Sequence, residues 1–108
     1  MPNANLDVCS SLAEVRAHID ALDAELVKLL ALRSGYVAQA AHFKKDTAAV
    51  RAPARVEQVV ARAKALAVEH GAPESVVEAV YRAMIDAFIQ EELAAHARLQ
   101  HSPSEELE

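Results

Sequence analysis

A chain of 108 residues holds one small domain with a single core. Hydrophobic residues make up 53%, with abundant alanine, only two glycines, four prolines and 4% aromatics, a composition that favours helices and argues against a sheet. The net charge of −5 excludes the basic field that a nucleic acid or an anionic membrane surface needs, so any polyanionic ligand requires a local cationic pocket.

The N-terminal stretch "MPNANLDVCSS" has no basic region followed by an apolar run, and no segment approaches about 18 uninterrupted apolar residues. Cys9 is the single cysteine, which rules out an internal disulfide and a cysteine-based zinc site. A soluble, cytoplasmic chain is expected. Residues 1–10 are expected to be disordered, 11–100 to form the helical domain and 101–108 to be a frayed polar tail.

Ser11 with Glu14 three residues later forms a capping box, so a first helix is expected to start there. From that cap Leu12, Val15, Ile19, Leu22, Leu26, Leu29, Arg33, Tyr36, Ala40 and Phe43 recur at spacings of three and four, a heptad seam that only Arg33 interrupts. Tyr36 and Phe43 are expected to form the core side of this helix. The segment "DTAAVRAP" predicts the first turn, with Pro53 opening a second helix that runs to about His70. "GAP" at 71–73 supplies a C-terminal glycine and a helix-starting proline, and a third helix is expected from about Pro73 to about Gln100. Its inner stripe is Val77, Val80, Tyr81, Met84, Ile85, Phe88, Ile89 and Leu93. The fold expected is all-α, with one long, one short and one medium helix.

A first helix of about 33 residues is roughly 50 Å long, whereas a compact chain of this size has a radius of gyration near about 13 Å. The projecting seam needs a cover, and a second copy of the chain is the simplest one. An intertwined homodimer is therefore expected.

The cations are informative because some lack the opposite charge three or four positions away that a solvated helix normally supplies. Arg33 has Leu29, Leu30, Tyr36 and Val37 at those offsets, so a charge on the seam has no acid on its own helix. Lys44, eleven residues on, falls within about 20° of the same helix face and has only Ala40, Ala41, Thr47 and Ala48. Val37, Ala40 and Ala41 leave room between the two. Gly35, costly inside a helix, marks either a close approach or helix packing.

Arg55 opposes the dipole in the first turn of the second helix, which together with free N–H groups makes an anion site. Arg51, just before it, is a weaker candidate with a plain solvated alternative. Arg16 has Asp20 four residues on, so an ordinary surface pair is an even alternative; it also lies about 25 Å from Arg33 along one helix. If both touch one small ligand, Arg16 must come from the other chain. Glu92 extends the inward stripe of the third helix, where burial raises its pKa unless a cation is near; a surface pair with His96 is the plainer alternative. The five histidines show no metal-ligand spacing, so no metal is expected, and no phosphate loop or nucleophile motif is present. These residues point to a pocket for a small dianion lined by Arg33, Lys44, Arg55 and Glu92, or else to a non-catalytic helical dimerisation module.

Over roughly residues 12 to 96 the motifs "VRAHIDALDAELVKLLALR", "YVAQAAHFK", "APARV" and "VYRAMIDAFIQEEL" resemble the all-helical chorismate mutases and their relatives the isochorismate-pyruvate lyases. The resemblance implies an intertwined three-helix homodimer whose two sites each borrow one arginine, here Arg16, from the partner. It places the substrate-holding cations on Arg33 and Arg55 and the donor to the breaking ether bond on Lys44. Val37, Ala40, Ala41, Val56, Phe88 and Ile89 are expected to line the pocket. Chorismate would rearrange to prephenate in a concerted step without cofactor, nucleophile or metal, driven by conformational restraint and placed cations.

Two positions depart from the pattern. Glu92 stands where many bacterial members have glutamine, and would donate to the ether oxygen only when protonated, so activity is expected to decline as pH rises through its pKa. Val56 stands where typical mutases place an acid, and Glu57 is about 100° around the helix. The apolar Val56, with "YVAQAAHFK", "APARV" and the loop length, is more like the lyase branch, which splits isochorismate into salicylate and pyruvate. Chorismate mutase is the first expectation and the lyase the second.

Overall fold

Ser11 caps α1 (Leu12–Ala41), its Oγ accepting from the Glu14 N–H at 3.1 Å. The reciprocal half of the expected box lands one residue earlier: Glu14 Oε1 accepts from the Ser10 N–H at 3.0 Å and from the Ser10 hydroxyl at 2.6 Å. The hydroxyl bond holds the Glu14 carboxyl below the usual carboxylate range. A computed structural model describes residues 6–107, so the disorder expected of 1–10 lies, for 1–5, outside the described residues. Asp7 Oδ2 approaches His18 Nε2 to 3.8 Å, which brings the chain before the cap back along α1.

α1 stops at Ala41, short of the expected 33 residues. His42, Phe43 and Lys44 donate their N–H groups to carbonyls three residues back, at 3.1, 3.0 and 3.2 Å, tightening the exit into a 3₁₀-type turn. Asp46 then caps α2 (Thr47–Arg51), its Oδ1 accepting from the Ala49 N–H at 2.9 Å, so the expected turn contains a helix of its own. Ala52 ends α2 and begins α3 (Pro53–His70), with φ 35° and ψ 62°, a left-handed conformation that costs a non-glycine residue about 1–2 kcal/mol. Both sides hold it there: its N–H donates to Ala48 O and its carbonyl accepts from the Val56 N–H, each at 3.0 Å.

α3 has the bounds expected, Pro53 at its start and Gly71 at its end with φ 74°, where the Ala72 N–H closes on Ala67 O at 2.8 Å. α4 (Glu74–Leu107) carries on beyond Gln100 and through most of the expected tail, with no glycine to end it.

Val60, Ala63 and Ala67 of α3 and Ile85 of α4 are buried, and Val50 plugs α2 into the same core at 2% exposure. A buried valine contributes about 1.5–3 kcal/mol, so Val50 and Val60 are main anchors of this small core. On the outer side, Arg82 of α4 makes a two-pronged bond to Glu57 of α3, at 2.9 and 3.0 Å, and also binds Glu78, which Lys64 approaches to 3.3 Å.

α1 has no buried residue: Leu12, Ile19, Leu22, Leu26 and Leu29 all lie open along its seam. Accordingly the chain measures 65 × 28 × 16 Å, with a radius of gyration of 18.5 Å, against about 13 Å for a compact fold of this length. Among the described residues, no helix is long and apolar enough to cross a membrane.

Candidate active site

The C-terminal half of α1 leans across α4, and α2 with the start of α3 closes the third side. A cleft of about 340 Å³ forms between them. α1 and its exit turn contribute Arg33, Tyr36, Val37, Ala40 and Lys44; the α2–α3 junction contributes Val50, Arg51, Ala52, Arg55, Val56 and Val59; α4 contributes Ile85, Phe88, Ile89 and Glu92. Four cations thus face a small apolar chamber that holds one acid.

The expected residues Arg33, Lys44, Arg55, Glu92, Val37, Ala40, Val56, Phe88 and Ile89 are brought together here. Ala41 is not: it is about 100° around the helix from Ala40, and lines a second cleft of about 480 Å³ with Ser34, Ala38, His42 and Arg98. Tyr36 and Phe43 correct a second expectation. They are 69% and 85% exposed within one chain, Tyr36 lining the cleft and Phe43 carried off the seam by the exit turn. Gly35 meets no atom within 4 Å of where a Cβ would sit, so no close approach within the chain explains it. Arg16 remains on the exposed face of α1, remote from the cleft, and forms no ion pair with Asp20. Missed as cleft residues at the sequence level are Val50, Ala52, Val59 and Ile85, whose apolar character signals only core.

Lys44 and Glu92 have each other as the distant partners that neither found locally. Lys44 Nζ donates to Glu92 Oε2 at 2.9 Å across 48 residues of sequence, with the lysine side chain 25% exposed and the carboxylate side chain 7%. The Glu92–His96 alternative gives way to this pair. So does the premise of the pH expectation, a buried carboxyl without a cation. Because Lys44 sits in the exit turn and not on the helix, its ammonium reaches the chamber from the end rather than along the α1 face.

Arg33, half-buried, lies with its guanidinium carbon 5.3 Å from the centre of the Phe88 ring. That stacking holds the charge in place while leaving its N–H edge available. Arg55 donates to Gln58 Oε1 at 2.7 Å, a bond within its own helix that leaves most of its donors free. Val56 presents an apolar wall to the cleft, and Glu57 points outward into the bond with Arg82, so α3 offers no acid to the chamber. The Arg82 bond holds the Glu57 carboxyl below its ordinary value; at Glu78 the Arg82 bond, then the Lys64 bond, do the same, and Arg82 is raised in turn. Among the described residues, no three His, Cys, Asp or Glu side chains converge in a way that could hold a metal ion.

A cationic chamber with a stacked arginine and a lysine at one end suits the restraint of a small dianion. The profile of the family described as "Chorismate mutase type II" matches residues 15–93. The chain belongs to that family. Its match to the type II chorismate mutases runs from the first turn of α1 to the middle of α4, and so includes every residue of the cleft. Among curated proteins, "Isochorismate pyruvate lyase" of Pseudomonas aeruginosa is 34% identical over 85 residues, covering 79% of this chain and 84% of that one. The type II family thus includes proteins named for two different reactions.

Proposed function

We propose that this protein is a homodimeric enzyme that carries out a pericyclic reaction on an enolpyruvyl-bearing cyclohexadiene dicarboxylate, with isochorismate as its principal substrate. The observation that carries the reading is the convergence of Arg33, Lys44 and Arg55 on one chamber with an apolar floor. Two guanidinium groups hold the carboxylates and restrain the enolpyruvyl arm, while the Lys44 ammonium faces the ether oxygen, which gains charge as its C–O bond breaks. In the lyase reaction a ring hydrogen passes to the methylene carbon of the arm as that bond breaks. The arm leaves as pyruvate and the ring becomes salicylate.

Isochorismate is placed before chorismate for two reasons. The wall at Val56 carries no acid for the substrate hydroxyl, and the lyase of Pseudomonas aeruginosa is 34% identical over most of both chains. Chorismate mutase activity is the second reading, favoured by the family match over residues 15–93. In both readings Glu92 orients the Lys44 ammonium, which donates to it at 2.9 Å.

The dimer belongs to the same proposal. The uncovered seam of α1 and the position of Arg16, about 25 Å from Arg33 at 1.5 Å per residue, fit a partner whose α1 lies along this one and brings its own Arg16 to the cleft. Purified protein incubated separately with isochorismate and with chorismate, with salicylate and prephenate measured, tests the assignment. Salicylate formation with the larger kcat/KM is expected. A folded dimer that yields neither product and binds neither substrate would sink both readings in favour of a non-catalytic dimerisation module.

A further inference from the structure

Arg51 also lines the cleft, although nothing in the proposed reaction has yet used it. Val50, immediately before it, is 2% exposed, and Ala52, immediately after, is bonded on both sides in its left-handed conformation. The backbone that carries Arg51 is therefore fixed from both directions, and the side chain leaves it at the mouth of the chamber. The other cations there have prior engagements: Lys44 with Glu92, Arg33 with the Phe88 ring and Arg55 with Gln58. Arg51 makes no hydrogen bond or ion pair among the described residues, so all five of its N–H donors are uncommitted.

We propose that Arg51 is a further substrate-binding residue, an added guanidinium at the mouth of the cleft that takes one carboxylate of the incoming dianion. Charge within the cleft supports this. Four cations less Glu92 leave a net +3, and because the Lys44–Glu92 pair is neutral as a unit that charge rests on Arg33, Arg51 and Arg55. Planar guanidinium groups match carboxylates two bonds at a time. Arg51 also borders a neighbouring groove of Ala48, Pro53, Val56, Glu57, Asp86 and Ile89, so its side chain has room to swing as ligand enters. A charge at the rim of a site acts on capture and retention more than on the bond-breaking step.

The inference rests on the dianion reading above, and its test separates the two. The intact protein, Arg51→Ala and Arg51→Lys are compared in steady-state kinetics on isochorismate and chorismate at low and high salt, with thermal unfolding alongside. In Arg51→Ala, KM should rise roughly tenfold, with kcat within about twofold and an unchanged unfolding midpoint. KM should also depend less on salt than in the wild type, and Arg51→Lys should recover part of the loss. An unchanged KM in Arg51→Ala overturns the inference while leaving the enzyme reading intact. So does a KM rise matched by an equal fall in kcat and a lowered midpoint, which would mean that Arg51 only holds α2 in place. A wild-type protein inert toward both substrates fails the enzyme reading itself, and the inference falls with it.

Discussion

Lys44 and Glu92 meet in the cleft through a single 2.9 Å contact, and the two partners are unequal. Glu92 is buried on an inward stripe and, among the described residues, has no other cation at hydrogen-bonding distance, whereas Lys44 still reaches solvent. Removing the lysine therefore does two things. On the proposed mechanism it deletes the donor to the ether oxygen, so kcat should fall by about two to three orders of magnitude, and it strands a carboxylate, so the fold should lose about 2–3 kcal/mol after allowance for partial exposure. Glu92→Gln keeps the shape and an acceptor for Lys44, so its activity should stay within about threefold of wild type. The double variant Lys44→Ala/Glu92→Gln distinguishes the two losses: urea titrations should show stability regained, and the assay should show activity still absent. Stability that stays as low in the double variant as in Lys44→Ala would mean that the carboxylate was never the cause.

At the level of elements, α3 is fixed to α4 by the apolar row Val60, Ala63 and Ala67 within and by Arg82, Glu57 and Glu78 without. Both carboxyls titrate lower in the folded chain than in the unfolded one. Their contribution is thus complete above the unfolded value, near about 4.3, and is lost as pH falls through the folded values. Thermal unfolding of the wild type should weaken on going from pH 7 to pH 3, and Arg82→Ala should show a smaller drop because its carboxyls are no longer depressed by that bond. Parallel drops in the two proteins would remove the Arg82 bridge from the account. The Glu78–Arg82 bond spans four residues of one helix, whereas the Glu57–Arg82 contact spans 25 residues and depends on how two helices cross, which spacing alone does not show. The same limit hid the partner of Lys44, though the absence of a local acid set both it and Arg33 apart from ordinary helix-surface cations. Bounds were read best where proline and glycine punctuate, at Pro53 and Gly71. They were read worst at the exit of α1, where the apolar spacing runs on through Phe43 but Asp46 starts a new helix two residues after Lys44.

For the molecule as a whole, the unresolved cost is α1. An apolar seam left open over thirty residues is unstable in water, and the cleft at its far end holds Arg33 without the Arg16 that the proposed site needs. In the dimer proposed above, a twofold partner would meet both needs at once, because an antiparallel pairing of the two α1 helices along the seam would also set the N-terminal turn of one beside the C-terminal half of the other. This arrangement makes a prediction that an arginine acting within its own chain cannot mimic. Arg16→Ala and Arg33→Ala should each be nearly inactive alone. Unfolded together and refolded as an equal mixture, half of the dimers are mixed, and each mixed dimer has one site with both arginines intact and one with neither. Activity should therefore return to about a quarter of the wild-type value per protomer. If Arg16 serves the cleft of its own chain, every site in every mixed dimer lacks one arginine, and the mixture stays as inactive as its components. Sedimentation of the same refolded sample fixes whether dimers formed, so a silent mixture of true dimers would locate the fault in the crossing-over of Arg16 and not in the assembly.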